Sequence, residues 1–170
     1  MNMPTATPST PSSTAAADDV LVRKDVFVQS TPERAFEVFT KQMGAWWPLG
    51  SHHIGKADAK NAVIEPFVGG RWFEQGVDGS ECDWGHVLAW DPPGRLVLAW
   101  QLSAEWKHDA ALKTEVEVRF TAERGGTRVD LEHRLLRNFG DRAEEMRSTF
   151  DSPSGWGGML EAFRACAGPT

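Results

Sequence analysis

The clearest signal in the chain is a pair of alternating segments in its C-terminal half. In Leu112 to Glu123, Val116, Val118 and Phe120 share one face, and Glu115, Glu117 and Arg119 share the other. In Thr127 to Arg134, Val129, Leu131 and His133 oppose Arg128, Asp130, Glu132 and Arg134. A period of two marks strands with one face covered and one face wet. Arg124-Gly125-Gly126 between them supplies a hairpin turn. Four more strands are predicted upstream: Ala62 to Glu65, Arg71 to Gln75, Cys82 to Trp90 and Arg95 to Leu102. They are separated by Gly69-Gly70, Asp78-Gly79 and Asp91-Pro92-Pro93-Gly94, all strong turn formers. Val20 to Gln29, rich in β-branched residues, reads as the first strand.

Helical periodicity appears twice. Thr31 as N-cap, Pro32 at the first helical position and Glu33 at the positive end of the dipole open a helix. Its apolar stripe is Ala35, Phe36, Phe39 and Met43, running out near Gly44. Trp46-Trp47-Pro48 follows, and the polar stretch Leu49 to Lys60 reads as a loop. Near the C-terminus, Ser152-Pro153 predicts a second helix start, with Trp156, Met159, Leu160, Phe163 and Ala167 at helical spacing and Gly168-Pro169 as the stop. Gly157 and Gly158 cost about 1 kcal/mol each inside a helix, so they either permit close approach to the sheet or precede the helix proper. The expected architecture is α+β, in the order β-α-β6-α, with a curved antiparallel sheet gripping a long last helix.

Composition narrows the function classes. Met1 to Asp19 holds no Lys, Arg or aromatic residue and is expected to be a disordered leader, leaving 20–170 as the folded domain. It has neither a basic nor an apolar region of the kind a secretory signal needs. The net charge of −6 argues against a nucleic-acid partner. The longest apolar run, Leu96 to Trp100, is far below the ~20 residues that span a bilayer. Two cysteines, Cys82 and Cys166, suit a reducing cytoplasm rather than a disulfide framework. Eight Trp and nine Phe with no Tyr are the unusual feature: so many indoles either fill a bulky core or line a cavity.

Little in the chain spells out catalysis. No Gly-x-Ser-x-Gly elbow, P-loop or Gly-x-Gly-x-x-Gly occurs. Cys82 and His86 are four apart on a predicted strand, about 13 Å along it, which is too far for one metal ion. His52-His53, adjacent in a loop, are a weak metal signal, and no metal is assigned. His133 falls on the covered face, either as a ligand-facing acid or base or as a buried neutral imidazole bonded to its neighbours. Trp84, His86, Leu88 and Trp90 alternate with Gly85, Val87 and Ala89, and both sets are apolar enough to look inward. Were His86 and His133 to converge near Glu74, they would form an acid–base cluster.

Several strings together carry a family resemblance. They are Ser30-Thr31-Pro32-Glu33-Arg34-Ala35-Phe36, Gly69-Gly70-Arg71-Trp72-Phe73-Glu74, Trp84 through Leu96, Gly126 through His133, and Gly155-Trp156 with Leu160 one turn on. The chain resembles the START-like (SRPBCC) superfamily, in the bacterial branch similar to the C-terminal domain of the heat-shock-protein-90 ATPase activator. The resemblance covers nearly all of residues 20–167. It implies a helix-grip fold with an elongated cavity between sheet and C-terminal helix, used by relatives to bind lipids, hormones, polyketides or drug-like molecules. It supplies no shared catalytic set, and co-chaperone activity does not follow from a shared fold.

The expectation is therefore a binder of a small hydrophobic or aromatic ligand, with no cofactor. Trp47, Trp72, Trp84, Trp100, Trp106 and Trp156 are the candidate contacts, and Glu74, His86, His133 or Arg71 the polar anchors. Alternatives from other classes are a cyclase- or hydrolase-type enzyme using the same cavity and a chaperone-related interaction module. The indoles either line that space or plug it.

Overall fold

A computed structural model describes residues 20–168; the expected leader lies outside them. Strand β1 (Val22–Val28) is followed by α1 (Pro32–Thr40) and a single turn, α2 (Met43–Trp46). Six strands come next: β2 (Ala59–Ile64), β3 (Arg71–Gly76), β4 (Glu81–Asp91), β5 (Arg95–Trp100), β6 (Thr114–Glu123) and β7 (Gly126–Arg134). All seven form one antiparallel sheet in the order β1-β7-β6-β5-β4-β3-β2. The α+β, helix-grip reading is thus observed. Register shifts in the β2–β3, β3–β4 and β4–β5 ladders concentrate in one half of the sheet and curl it.

Local sequence accounts for α1. The Thr31 hydroxyl accepts the Arg34 N–H at 3.1 Å, and Pro32 occupies the first turn. The helix ends at Thr40 rather than near Gly44, and Met43 opens α2 instead. Phe36 and Phe39 pack edge-on against Phe120 of β6, and Phe39 against Phe163. On β6 and β7 the alternation holds: Val116, Val118, Phe120, Val129, Leu131 and His133 are buried. On the opposite face Arg134 pairs with Glu115 and Glu117, and Arg95 with Glu117. Burial pushes the Glu117 carboxyl up, but the hydrogen bonds from Arg134 and Arg95 outweigh it and hold the group below its ordinary range.

The C-terminal arm differs from the simple expectation. A 3-10 segment (Leu136–Arg142) and α3 (Ala143–Asp151) precede the last helix, α4 (Trp156–Cys166). Ser152 does not start α4. It is extended and its hydroxyl donates to the Thr149 carbonyl at 2.7 Å, so it closes α3, and the arm bends over the next three residues. Both Gly157 and Gly158 lie inside α4, and a Cβ at Gly158 would fall on the Pro153 carbonyl at that bend. Strand β4 departs too. Trp84 and Leu88 are extra residues at two bulges, which break the parity of the strand. Trp84, Val87 and Trp90 therefore turn toward the core, Leu88 is exposed, and His86 stands beside Arg71 and Ala99 on the outer face.

One hydrogen-bonded chain joins α4 to the middle of the sheet. The Trp156 indole N–H donates to His133 Nδ1 at 3.1 Å, so the imidazole hydrogen sits on Nε2, 3.1 Å from the Thr114 hydroxyl. That hydroxyl donates in turn to the Trp100 carbonyl at 2.8 Å. Complete burial lowers the His133 pKa to about 3, so the ring is neutral.

Two outcomes follow from this packing. In acid, the unfolded chain protonates His133 below pH 6.5 while the folded chain resists down to about 3, so stability falls as pH drops through that window. Urea unfolding at pH 5 should show a loss of about 2 kcal/mol relative to pH 7 from this residue, with nitrogen-detected NMR still reporting a neutral Nε2–H ring. A folded-state titration near 6.5 would contradict the assignment. In the sheet, a Cβ at Gly85 would fall on the backbone carbonyl of Ala99. Gly85→Ala should therefore cost at least about 2 kcal/mol in the same assay, and an unchanged midpoint would refute that packing.

Candidate functional site

A cleft of about 560 Å³ opens at one end of the sheet. Its walls come from the loop after α2, from Trp84 on β4, from Trp100 and the β5–β6 loop, and from the bend between α3 and α4. Of the candidate contacts, Trp47, Trp84, Trp100 and Trp106 line it. Trp72 and Trp156 lie one layer behind, fully buried, with Trp72 edge-on to Trp47, Trp84 and Trp100 and Trp156 edge-on to Trp47 and Trp100. Trp47, Trp84 and Trp100 border the cleft but are themselves no more than 5% exposed, so Trp106 alone of these indoles presents a large open face. Such interlocked rings, with centroids 5–6 Å apart, leave few alternative rotamers and make a firm wall.

The polar candidates separate in the same way. Glu74 is buried and its carboxylate accepts three N–H groups: the Trp84 indole at 2.8 Å, Ile54 at 2.7 Å and Gly55 at 2.9 Å. It therefore positions a lining indole and the rim of the cleft, and it stands one layer behind the surface. His133 performs the same service for Trp156 and, through Thr114, for the Trp100 backbone. His86 bonds Gln101 at 3.0 Å on the outer face and does not meet His133, because the Trp84 bulge reverses its side. Arg71 is also on that face, bonded to Asp83 and Glu81 and stacked over Phe73.

The imidazoles in the cleft are instead those of the loop, His52 and His53. His53 Nδ1 lies 3.1 Å from the Gly55 carbonyl, which can only accept, so its hydrogen is there and Nε2 is left as a base. Glu74 stands 3.9 Å from the same nitrogen. Lys107, on the rim, makes no ion pair among the described residues. Adjacency of two histidines in a loop is the only trace of this arrangement in the sequence. Their convergence with the indoles depends on Glu74, 20 residues away from Ile54, pulling the loop onto the sheet.

Two further details belong to the cleft wall. Trp106 takes a backbone φ of 62°, rare for a bulky residue, and is 43% exposed where it covers Trp100 and Phe150 edge-on. The neighbouring Glu105 is tied to Arg142 at 2.7 Å, so the β5–β6 loop leans on the C-terminal arm. Trp100 Nε1 is buried with no hydrogen-bond partner. Among the described residues no group of three or more His, Cys, Asp or Glu side chains is placed to hold a metal ion. Both cysteines are free thiols.

Comparison with known proteins agrees with this architecture. An anthrahydroquino-γ-pyrone synthase, Txn09, is 40% identical, with a TM-score of 0.60 over 85% of this chain and 95% of its own. The self-sacrificing resistance protein CalC from Micromonospora echinospora is 30% identical, with a TM-score of 0.65 over 86% of this chain and 93% of its own. Protein NE0264 from Nitrosomonas europaea, at 12% identity and a TM-score of 0.60 over 86% and 93%, shares the fold alone. No curated protein matches significantly. The profile of the family described as activator of Hsp90 ATPase homolog 1-like protein matches residues 29–168, and the chain belongs to that family.

Proposed function

We propose that the protein binds a small, flat, hydrophobic or aromatic molecule in the indole-lined cleft, in the cytoplasm and without a cofactor. The observation that carries this reading is the convergence of Trp47, Trp84, Trp100 and Trp106 on one cleft of about 560 Å³, within the size range of small-molecule sites. Indole faces give large contact area at low entropic cost, and fused aromatic rings match them best. Glu74, Trp72, His133 and Trp156 hold the wall, and His53 takes the anchoring role that the sequence suggested for His86. A relative named as an anthrahydroquino-γ-pyrone synthase supports such a ligand class.

Catalysis on the bound molecule is the second reading, favoured by His53, which lines the cleft with its Nδ1 bonded to the Gly55 carbonyl, and by the synthase among the relatives.

Titration with hydroxyanthraquinones, flavonoids and fatty acids, read by tryptophan fluorescence and thermal shift, tests the first reading. Quenching with a Kd at or below the micromolar range is expected for the fused-ring compounds. Trp106→Ala should weaken binding about tenfold while moving the unfolding midpoint little, because the ring is half in solvent. Absence of any response across all three ligand classes would end the proposal.

A further inference from the structure

At the mouth of the cleft the hydroxyl of Ser51 lies 2.7 Å from His52 Nδ1. On the far side of the ring, His52 Nε2 lies 2.7 Å from the backbone carbonyl of Ser154, at the bend before α4. A carbonyl only accepts, so Nε2 carries the ring hydrogen. In the neutral ring Nδ1 is then a lone pair, and the Ser51 hydroxyl donates to it. A nucleophile, a base and a group that orients the base are therefore in line, which is the arrangement that activates a serine. The Pro48 carbonyl is a more distant second acceptor for the hydroxyl, at 3.5 Å.

The surroundings hold this pair in place. The Trp47 indole donates to the His52 carbonyl at 2.9 Å, and the Ser51 and His52 amides both bond the Pro48 carbonyl, at 3.2 and 2.9 Å. Ser51 is exposed and faces the space the indoles line. The next amide, that of His53, makes no hydrogen bond among the described residues. The other nucleophile near the loop, Cys82, sits behind Gly55, and burial pushes its thiol up, away from the reactive form.

We propose that Ser51 and His52 form an acyl-transfer site that cleaves aryl esters seated in the cleft, with Ser51 the nucleophile, His52 its general base and Ser154 the positioning residue. Ser51 Oγ attacks the ester carbonyl carbon as its proton passes to His52 Nδ1. The bond to the aryl oxygen breaks, and that oxygen takes the proton back from His52 and leaves as a phenol. Water, deprotonated by the same nitrogen, then attacks acyl-Ser51 and releases the acid and the free hydroxyl. The sum is ester plus water giving acid plus phenol, with no other reactant. The choice of an aryl leaving group rests on the binding reading above.

The test uses the full chain with 2-naphthyl acetate. Release of 2-naphthol should begin with a burst approaching one equivalent, and acid-quenched protein should carry one acetyl group on the Ser51 peptide. Ser51→Ala and His52→Gln should each lower kcat/KM at least about 100-fold, while 2-naphthol alone still quenches tryptophan fluorescence in both. Ser51→Cys should restore acetylation at that position. If 2-naphthol binds but hydrolysis is unchanged in Ser51→Ala, or the acetyl group lies on a lysine, the acyl-transfer site is overturned and the binding cleft stands. If 2-naphthol does not bind and no acetylation occurs, both fail.

Discussion

The hydrogen-bonded chain from Trp156 through His133 and Thr114 to the Trp100 carbonyl holds the C-terminal helix at a set distance from the sheet. Each member is buried, so each bond forms in a low-dielectric interior where an unmet donor or acceptor is costly. The chain has a single consistent direction of donation, fixed because the indole can only donate and the carbonyl only accept. Its neutral imidazole is the hinge of that logic: a protonated ring would have no acceptor nitrogen for Trp156. Helix, hairpin and central strand are thereby locked into one geometry, and the cleft is what that geometry leaves open beside them.

A second buried polar device shapes the rim. Glu74 is a carboxylate at the centre of three N–H donors, one from a lining indole and two from the loop carrying His52 and His53. Three such bonds offset the cost of burying a charge that apolar packing alone would not bear. The same residue thus couples the aromatic wall to the imidazole-bearing loop, which is why the chemistry-bearing side chains and the hydrophobic surface share one space. On the far face of the sheet the charges serve differently, pairing Arg95, Arg119 and Arg134 with Glu117 and keeping that surface wetted and self-neutralised.

Strands β6 and β7, the capped helix α1 and the apolar stripe of α4 were legible because each expresses a local rule: alternation, a side-chain cap, helical spacing. His133 on the covered face was legible for the same reason. The side on which His86 sits was not, since a bulge at Trp84 leaves no mark on hydropathy and reverses the residues after it as far as the second bulge at Leu88. Nor was α3, whose acidic and basic surface offers only Ala143, Met146 and Phe150 to the core. Ser152-Pro153 looked like a helix start because the same residue types close one helix and open another.

By itself, then, the sequence determined the fold class, the strands and their covered faces, and an excess of indoles that had either to fill or to line an interior. Only the tertiary structure gave them both uses, burying Trp72 and Trp156 in the core and setting the nearly buried Trp47, Trp84 and Trp100, with the exposed Trp106, at the edge of a cleft. It also chose His52 and His53 over His86 as the imidazoles that share that space. The physical reason is range: alternation and capping act over a few residues, whereas the Glu74 bonds to the loop and the Trp156 bond to His133 join positions 19 to 23 residues apart. Partners at that separation are selected by packing, which no local pattern encodes.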